Sequence, residues 1–328
     1  MRATMFPLAL LAVLLAAASL SCAKQTDQTG ARKIVIGIVA KSQSNIVFQA
    51  AWKGARDAAR DLSASYGVDV EVRWMTPPDE NPQKQAEAIE QLARSGAQGI
   101  AVSCSDANIL TPAIDKAVDL GAQVMCFDSD APRSKRFCFF GTDDRTCGAA
   151  VMRHLSEAMG DKGAIAILAG NQSAPNLQMR VQGVREELAR HPGMSLAGNG
   201  VYYHAETPEQ AAETVNRAQS TNPSIKGWAM VGGWPLFTGD ALKWAPGAVK
   251  VVSVDALPPQ LAYLASGHVQ VLLAQNCYGW GTTAVRVLLD RIVRGHAPAQ
   301  TRIVDSLTVV TNATQAAYGK NWEQWLGK

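Results

Sequence analysis

The sequence lacks the short motifs that mark the best-known classes of enzyme. No Gly-x-Gly-x-x-Gly or Gly-x-x-x-x-Gly-Lys-Ser/Thr segment opens a predicted helix, so a phosphate-binding loop is not indicated. The Gly-x-Ser-x-Gly elbow of many hydrolases is absent as well. One catalytic alternative stays open, a glycoside hydrolase that uses Asp128 and Asp255 as its two carboxyl groups. We expect the chain not to be an enzyme.

Charge and metal-binding residues also form no pattern. The 31 basic and 28 acidic residues are interspersed and give a net charge of only +3, so no nucleic-acid partner is expected. The 5 histidines are scattered and no Cys-x-x-Cys pair occurs, so neither a metal site nor a cofactor is indicated. Five cysteines follow Cys22, so at least one thiol stays unpaired within the chain if disulfides form.

The N-terminal segment, residues 1–22, has the shape of a secretory signal. A basic residue, Arg2, precedes an apolar stretch at 6–18 that is too short for a stable membrane span. Cys22 follows a small residue, as in a bacterial lipoprotein signal, which predicts lipid attachment there. Cleavage that releases a soluble protein is the alternative. Residues 23–32 are polar and predict a tether, so the mature chain is expected in the periplasm or on the cell surface, anchored through Cys22.

The rest of the chain predicts an α/β protein with parallel sheets. A length of 328 residues suits two domains, and a hydrophobic content of 47% indicates a globular protein. From Lys33 to 142, strands and helices alternate at a spacing of roughly 30 residues, which is typical of a parallel sheet with right-handed crossovers. The alternation restarts at Thr146. It includes a short predicted helix at Leu236–Lys243 and a last predicted strand at Ile303–Val310.

Two predicted strands each deliver an acidic residue at their carboxyl end. Gln123–Asp130 is an apolar run that leads into Asp128 and Asp130, and Val251–Asp255 repeats the pattern. In open α/β sheets, ligands bind beyond the carboxyl ends of the strands. The pattern therefore favours a pocket for a ligand rich in hydrogen-bond donors. The alternative is that each aspartate only caps the loop that follows.

Several segments, taken in order, resemble the periplasmic sugar-binding proteins of the ribose-binding type, which deliver ligands to ABC importers. The resemblance extends from Lys33 to about Thr311. The segments that carry it are Ile36–Val39, Asn45–Phe48, Gly99–Ser103, Val124–Asp128, Gly141–Asp144, Asn176–Gly183, Val252–Asp255 and Leu273–Gln275.

This resemblance implies a type I periplasmic binding protein fold, with two Rossmann-like lobes joined by three hinge crossovers. Lobe one would comprise residues 33–142 and 276–306, and lobe two residues 143–275 and 307–328. The crossovers would lie near Thr142, Gln275 and Asp305–Thr308. Such lobes close on a ligand like a hinge.

The resemblance also implies a set of sugar-binding positions. A sugar has a rim of hydroxyl groups and apolar faces, so its site needs acids, amides and an aromatic ring. The implied ligand-binding residues are Asn45, Phe48, Ser103, Asp128, Ser129, Thr142, Asn176, Gln178, Arg180, Trp234, Asp255 and Gln275.

Some of these positions keep alternative interpretations. Asn45 could be a helix N-cap, Arg180 a surface residue, and Phe48 and Trp234 core residues. Val47, Ser129 and Trp234 depart from the family pattern, which argues against assuming ribose as ligand. Trp234, Tyr278 or Trp280 could supply the stacking face.

The function implied is that of an extracytoplasmic solute-binding protein. It would capture a monosaccharide or related polyol between its lobes and deliver it to an ABC permease in the membrane, acting as a monomer. The alternative within the same fold is a sugar sensor that signals to a membrane receptor.

Overall fold

The protein is described by a computed structural model that covers residues 30–327. The predicted signal at 1–22, the predicted lipid-attachment residue Cys22 and most of the predicted tether lie outside the described residues. No helix within 30–327 has both the length and the apolar character needed to cross a membrane.

The secondary structure alternates between strands and helices along most of the chain. The strands are β1 (Arg32–Val39), β2 (Val68–Trp74), β3 (Gly99–Val102), β4 (Gln123–Phe127), β5 (Cys138–Thr142), β6 (Gly163–Ala169), β7 (Met194–Tyr203), β8 (Ile225–Met230), β9 (Lys250–Val254), β10 (Val271–Ala274), β11 (Arg302–Asp305) and β12 (Thr308–Val310). The helices are α1 (Ile46–Tyr66), α2 (Pro82–Arg94), α3 (Ala107–Asp119), α4 (Asp144–Met159), α5 (Pro175–Leu188), α6 (Pro208–Thr221), α7 (Pro258–Ala265), α8 (Cys277–Arg294) and α9 (Gln315–Leu326).

The strands form two six-stranded sheets, one in each lobe. The sheet of lobe one has the order β11-β5-β4-β3-β1-β2 and is parallel throughout. The sheet of lobe two has the order β12-β10-β9-β8-β6-β7, and only β12 runs antiparallel to its neighbour. Central strands such as β3 are buried along their whole length, as expected where helices cover both faces of a parallel sheet.

The chain passes between the two sheets three times: after β5, after β10, and between β11 and β12. The strand predicted at Ile303–Val310 is therefore wrong as a single element. Its first part, β11, pairs with β5 of lobe one, and its second part, β12, pairs with β10 of lobe two. Ser306 and Leu307 form the connection, which the apolar pattern does not reveal.

Two further elements differ from the sequence prediction. The helix predicted at Leu236–Lys243 is wrong, because only Trp234–Phe237 forms a single 3₁₀ turn. Asp240 then adopts a left-handed conformation with φ of 56°, which ends any helical path. Helix α9 was not predicted. Its Trp322 is buried, and the indole Nε1 donates to the carbonyl oxygen of Ala256 at 2.7 Å.

All five described cysteines are buried and none forms a disulfide. The closest approach is between Cys104 and Cys126, whose Sγ atoms are 3.9 Å apart on neighbouring segments of lobe one. Within residues 30–327, no group of three or more histidine, cysteine or acidic side chains is arranged to hold a metal ion.

Candidate functional site

A cavity of about 1260 Å³ lies in the cleft between the carboxyl ends of the two sheets. Both lobes contribute to its wall. Of the residues implied by the resemblance, the wall includes Asn45, Phe48, Asp128, Asn176, Arg180, Trp234, Asp255 and Gln275.

Asp128 and Asp255 occupy equivalent positions in the two lobes. Each follows a buried strand directly and adopts a left-handed conformation, with φ of 57° for Asp128 and 69° for Asp255. This conformation is uncommon outside glycine, and aspartate and asparagine tolerate it best. Asp128 is only 5% exposed, and its Oδ2 accepts a 2.6 Å hydrogen bond from the Ser103 hydroxyl. Neither aspartate is the N-cap of a helix.

A buried hydrogen-bond network connects Asp255 to the hinge. Gln275, which directly follows β10, donates from Nε2 to Asp255 Oδ1 at 2.8 Å. Its Oε1 accepts from Arg180 Nη2 at 2.8 Å and from Thr142 Oγ1 at 3.1 Å. Since Thr142 ends β5 in lobe one, this single amide links both lobes beside the cavity.

Arg180 is buried, with 2% of its surface exposed, and is not the surface residue of the alternative interpretation. Its Nε donates to Asp144 Oδ1 at 2.9 Å and its Nη1 donates to the Val231 carbonyl oxygen at 3.1 Å. Helices α4 and α5 cross closely enough to place it there. A Cβ atom on Gly148 would lie only 1.9 Å from the Arg180 carbonyl oxygen, so only glycine permits this approach.

Burial dominates the electrostatics of the acids in this network. It raises the pKa of Asp144 to about 6, although the attraction of Arg180 partly opposes the shift. Burial also raises the pKa of Asp255, again against the attraction of Arg180 and the hydrogen bond from Gln275. A ligand that supplies hydrogen-bond donors would stabilise the charged form of Asp255.

Aromatic rings form an apolar part of the wall. Phe48 and Trp280 pack with ring centroids 6.1 Å apart, and both line the cavity. Trp234 also lines it and packs edge-on against His204 at 5.1 Å. Tyr278 is not part of this wall, because its hydroxyl donates to Asp57 at 2.8 Å and its ring stacks on Trp325 of α9.

Asn45 and Asn176 each lie at the start of a helix and also line the cavity. Asn45 caps α1 through an acceptor bond from the Val47 amide at 3.1 Å, and it also lines the cavity. Asn176 lies in the first turn of α5 and is buried at the wall. Its Oδ1 has no hydrogen-bond partner among the described residues.

Four of the implied residues do not line the cavity. Ser103 supports Asp128, and Thr142 supports Gln275. Gln178 accepts a long hydrogen bond of 3.4 Å from the Tyr203 hydroxyl. Ser129 is fully buried behind the site, and its hydroxyl has no partner among the described residues. Their assignment to ligand binding stays a prediction.

Sequence reasoning missed a second group of wall residues: Lys41, Glu80, His204 and Glu206. Lys41 follows β1, Glu80 lies in the loop after β2, and His204 and Glu206 follow β7. The rule that singled out Asp128 and Asp255, polar residues beyond the carboxyl end of a parallel strand, applies equally to these positions.

Comparison with known proteins agrees with this geometry. Residues 36–296 match the family model described as periplasmic binding protein domain. The chain belongs to this family. The D-allose-binding periplasmic protein of Escherichia coli strain K12 is 24% identical over 292 residues, which span 83% of this chain and 90% of that protein.

Solved structures of the family give the same result. An ABC transporter solute-binding protein from Burkholderia graminis C4D1M, in complex with D-arabinose, has a TM-score of 0.80 and 25% identity, covering 87% of this chain and 97% of the other. A sugar-binding protein of a sugar ABC transporter from Bacillus halodurans has a TM-score of 0.76 and 25% identity, and the match covers 87% of this chain and 99% of the other. These similarities confirm the resemblance and the fold class, and these relatives are binding proteins, not enzymes.

Proposed function

We propose that this chain is the solute-binding component of an ABC importer and that it captures a monosaccharide or related polyol in the cleft. One observation carries the proposal. Asp128, Arg180, Asp255 and Gln275 converge on a cavity between two lobes, with Phe48 and other aromatic rings beside them. Acceptors and donors around an apolar wall are what a pyranose or furanose requires. The D-allose and D-arabinose of the relatives support this ligand class.

A thermal-shift screen tests the ligand class. The mature chain would be heated with a panel of pentoses, hexoses and polyols that includes D-allose, D-arabinose and D-ribose. A ligand present at 100 times its Kd stabilises the folded state by about 2.7 kcal/mol and raises the Tm by several degrees. Hits would be measured by isothermal titration calorimetry. A panel with no shift, followed by no heat of binding, would contradict the proposal.

The partner and location belong to the same proposal. The permease would be tested by sugar uptake in cells that carry the chain and its permease, compared with cells that lack the chain. Sugar binding without any effect on uptake would favour the sensor alternative. Lipid attachment would be tested by mass spectrometry of the mature N-terminus in wild type and in Cys22→Ser, and the monomeric state by light scattering.

The hydrolase alternative has a direct test of its own. Incubation with nitrophenyl glycosides would release a coloured product if Asp128 and Asp255 performed hydrolysis. We expect none, because binding by lobe closure requires no reaction.

A further inference from the structure

The order of the strands gives the cavity two distinct ends. Thr142 ends β5, and Asp255 and Gln275 follow β9 and β10. These three strands lie toward the hinge side of their sheets. Lys41, Glu80, His204 and Glu206 follow β1, β2 and β7, which lie at or next to the opposite edges. We call the first the hinge end and the second, formed by these four residues, the open end.

The cavity is larger than one sugar unit requires. Its volume of about 1260 Å³ exceeds the roughly 300–1,000 Å³ of most small-molecule sites. The hinge end already supplies the acids, the amide, the guanidinium and the aromatic rings that the proposed function uses. The open end therefore remains as additional lined space within the same cavity.

Lys41 belongs to the open end and lies near carboxylates of both lobes. It is 5% exposed, lines the cavity, and makes no hydrogen bond or ion pair with another residue in the part of the chain that the structure describes. Burial alone would lower its pKa, but the carboxylates of Asp128, Glu206 and Glu80 together raise the pKa above its ordinary value. The charged ammonium group, which has three donors, therefore faces the cavity and can donate to an oxygen atom of a ligand.

The open end also holds unsatisfied polar atoms on both lobes. Glu80 Oε1 and His204 Nε2 are buried and have no hydrogen-bond partner among the described residues. Burial raises the pKa of the Glu80 carboxyl, and Lys41 opposes this shift while Glu206 adds to it. Glu206 is held in place by its own lobe, because its Oε1 accepts a hydrogen bond of 3.1 Å from the backbone N–H of Asn171. These carboxylates offer acceptors to hydroxyl groups that reach the open end.

An apolar wall accompanies these polar groups. His204 packs edge-on against Trp234, and both residues line the cavity. Burial lowers the pKa of His204, so the imidazole is neutral at pH 7 and presents a ring of low charge. The open end therefore repeats the combination found at the hinge end: acidic acceptors, a basic donor and aromatic surface.

We propose that the open end is a second sugar subsite and that the preferred ligand is a disaccharide. One unit would occupy the hinge end as in the proposed function, on which this inference rests. The other unit would place its hydroxyl groups between Glu80 of lobe one and Glu206 of lobe two, with Lys41 donating near the glycosidic linkage. Closure of the lobes would then be stabilised by contacts at both ends of the cleft.

Isothermal titration calorimetry on the mature chain tests this inference. The probes are D-glucose, D-galactose, D-allose and D-arabinose, together with maltose, cellobiose, lactose, melibiose and trehalose. We expect at least one disaccharide to bind tenfold or more tightly than either of its component monosaccharides. Glu80→Gln and Glu206→Gln should each weaken binding of that disaccharide at least tenfold more than they weaken binding of its hinge-end monosaccharide.

Glu213→Gln is the matched control. Glu213 is exposed on α6, the helix that begins two residues after Glu206, and it does not line the cavity. It should leave both affinities unchanged. The inference is overturned if every disaccharide binds no more tightly than its components. It is also overturned if Glu80→Gln and Glu206→Gln weaken binding of the monosaccharide and of the disaccharide equally. The two glutamates would then act on closure of the lobes and not on a second sugar unit. If no sugar of either size binds, the proposed function itself fails and the inference fails with it.

Discussion

Arg180 and Gln275 are joined by a buried hydrogen bond of 2.8 Å although 95 residues separate them in the chain. The bond fixes the orientation of the Gln275 amide. With Oε1 facing the guanidinium and the Thr142 hydroxyl, Nε2 is directed at Asp255. The amide thus couples a cation of lobe two, an acid of lobe two and a strand end of lobe one at the hinge side of the cavity.

Gln275→Ala should impair both stability and sugar binding. The change removes one of the donors to the Asp255 carboxylate and leaves one Arg180 donor buried without its acceptor, which costs on the order of 1–3 kcal/mol. We expect a lower midpoint in urea unfolding and at least a tenfold loss of affinity by calorimetry. The control is Gln182→Ala, since Gln182 is exposed on α5. Full affinity in Gln275→Ala would show that the amide does not organise the site.

Asp128→Asn and Asp255→Asn should each abolish sugar binding while the Tm without ligand stays within a few degrees. Asparagine accepts the left-handed backbone that both positions adopt, so the substitution removes charge without backbone strain. A sugar hydroxyl would then donate to an amide oxygen, which is a weaker acceptor than the carboxylate it replaces.

Asp240→Asn is the matched control for this pair. Asp240 has a similar φ of 56° but lies exposed on the surface, where it pairs with Lys243. It should bind sugar as wild type does. Undiminished affinity in both cleft variants would refute the assignment of these acids to the site.

The acids and the sheets could be predicted from sequence because both follow from local pattern. An apolar run of strand length that ends in an acid, as in Val251–Asp255, indicates a buried parallel strand and a side chain at its carboxyl edge. The amide at Gln275 and the guanidinium at Arg180 came only from the resemblance. Nothing in the local sequence distinguishes a buried arginine on α5 from a surface one, since its burial depends on how closely α4 approaches.

The features that sequence reasoning missed depend on distant contacts. Lys41 and Glu80 lie in polar loops after β1 and β2, and the local pattern does not show which residues of these loops face the cavity. The resemblance implied a crossover near Asp305–Thr308, but the apolar pattern of Ile303–Val310 does not show two strands, because their division is set by pairing partners in different sheets. Helix α9 packs against α1 of lobe one and α7 of lobe two, contacts that no local periodicity encodes.

Gly148→Ala should weaken binding although Gly148 itself does not line the cavity. The added methyl group would lie 1.9 Å from the Arg180 carbonyl oxygen, so α4 and α5 must separate and Arg180 must move. We expect a lower Tm and a several-fold loss of affinity, because overpacking typically costs about 1–3 kcal/mol. Gly239→Ala is the control, since no atom lies within 4 Å of its added Cβ. Unchanged affinity in Gly148→Ala would show that the site tolerates displacement of Arg180.

The buried carboxyl of Asp144 should leave a signature in the pH dependence of stability. Burial raises its pKa from 3.8 to about 6, so the folded state holds this proton more tightly than the unfolded state does. A group with a raised pKa in the folded state contributes stability that is fully present below the unfolded pKa. That contribution is lost as the pH rises through about 6.

Comparison with Asp144→Asn isolates this contribution, because the variant keeps every other titrating group. The difference in free energy of unfolding, wild type minus variant, should fall by about 2 kcal/mol between pH 4 and pH 7. Urea unfolding of both proteins at pH 4, 5.5 and 7 provides the measurement. A difference that rises toward pH 7 would mean that the 2.9 Å ion pair with Arg180 outweighs the desolvation of the carboxylate. In that case Asp144 would act chiefly to hold Arg180 in place for the ligand.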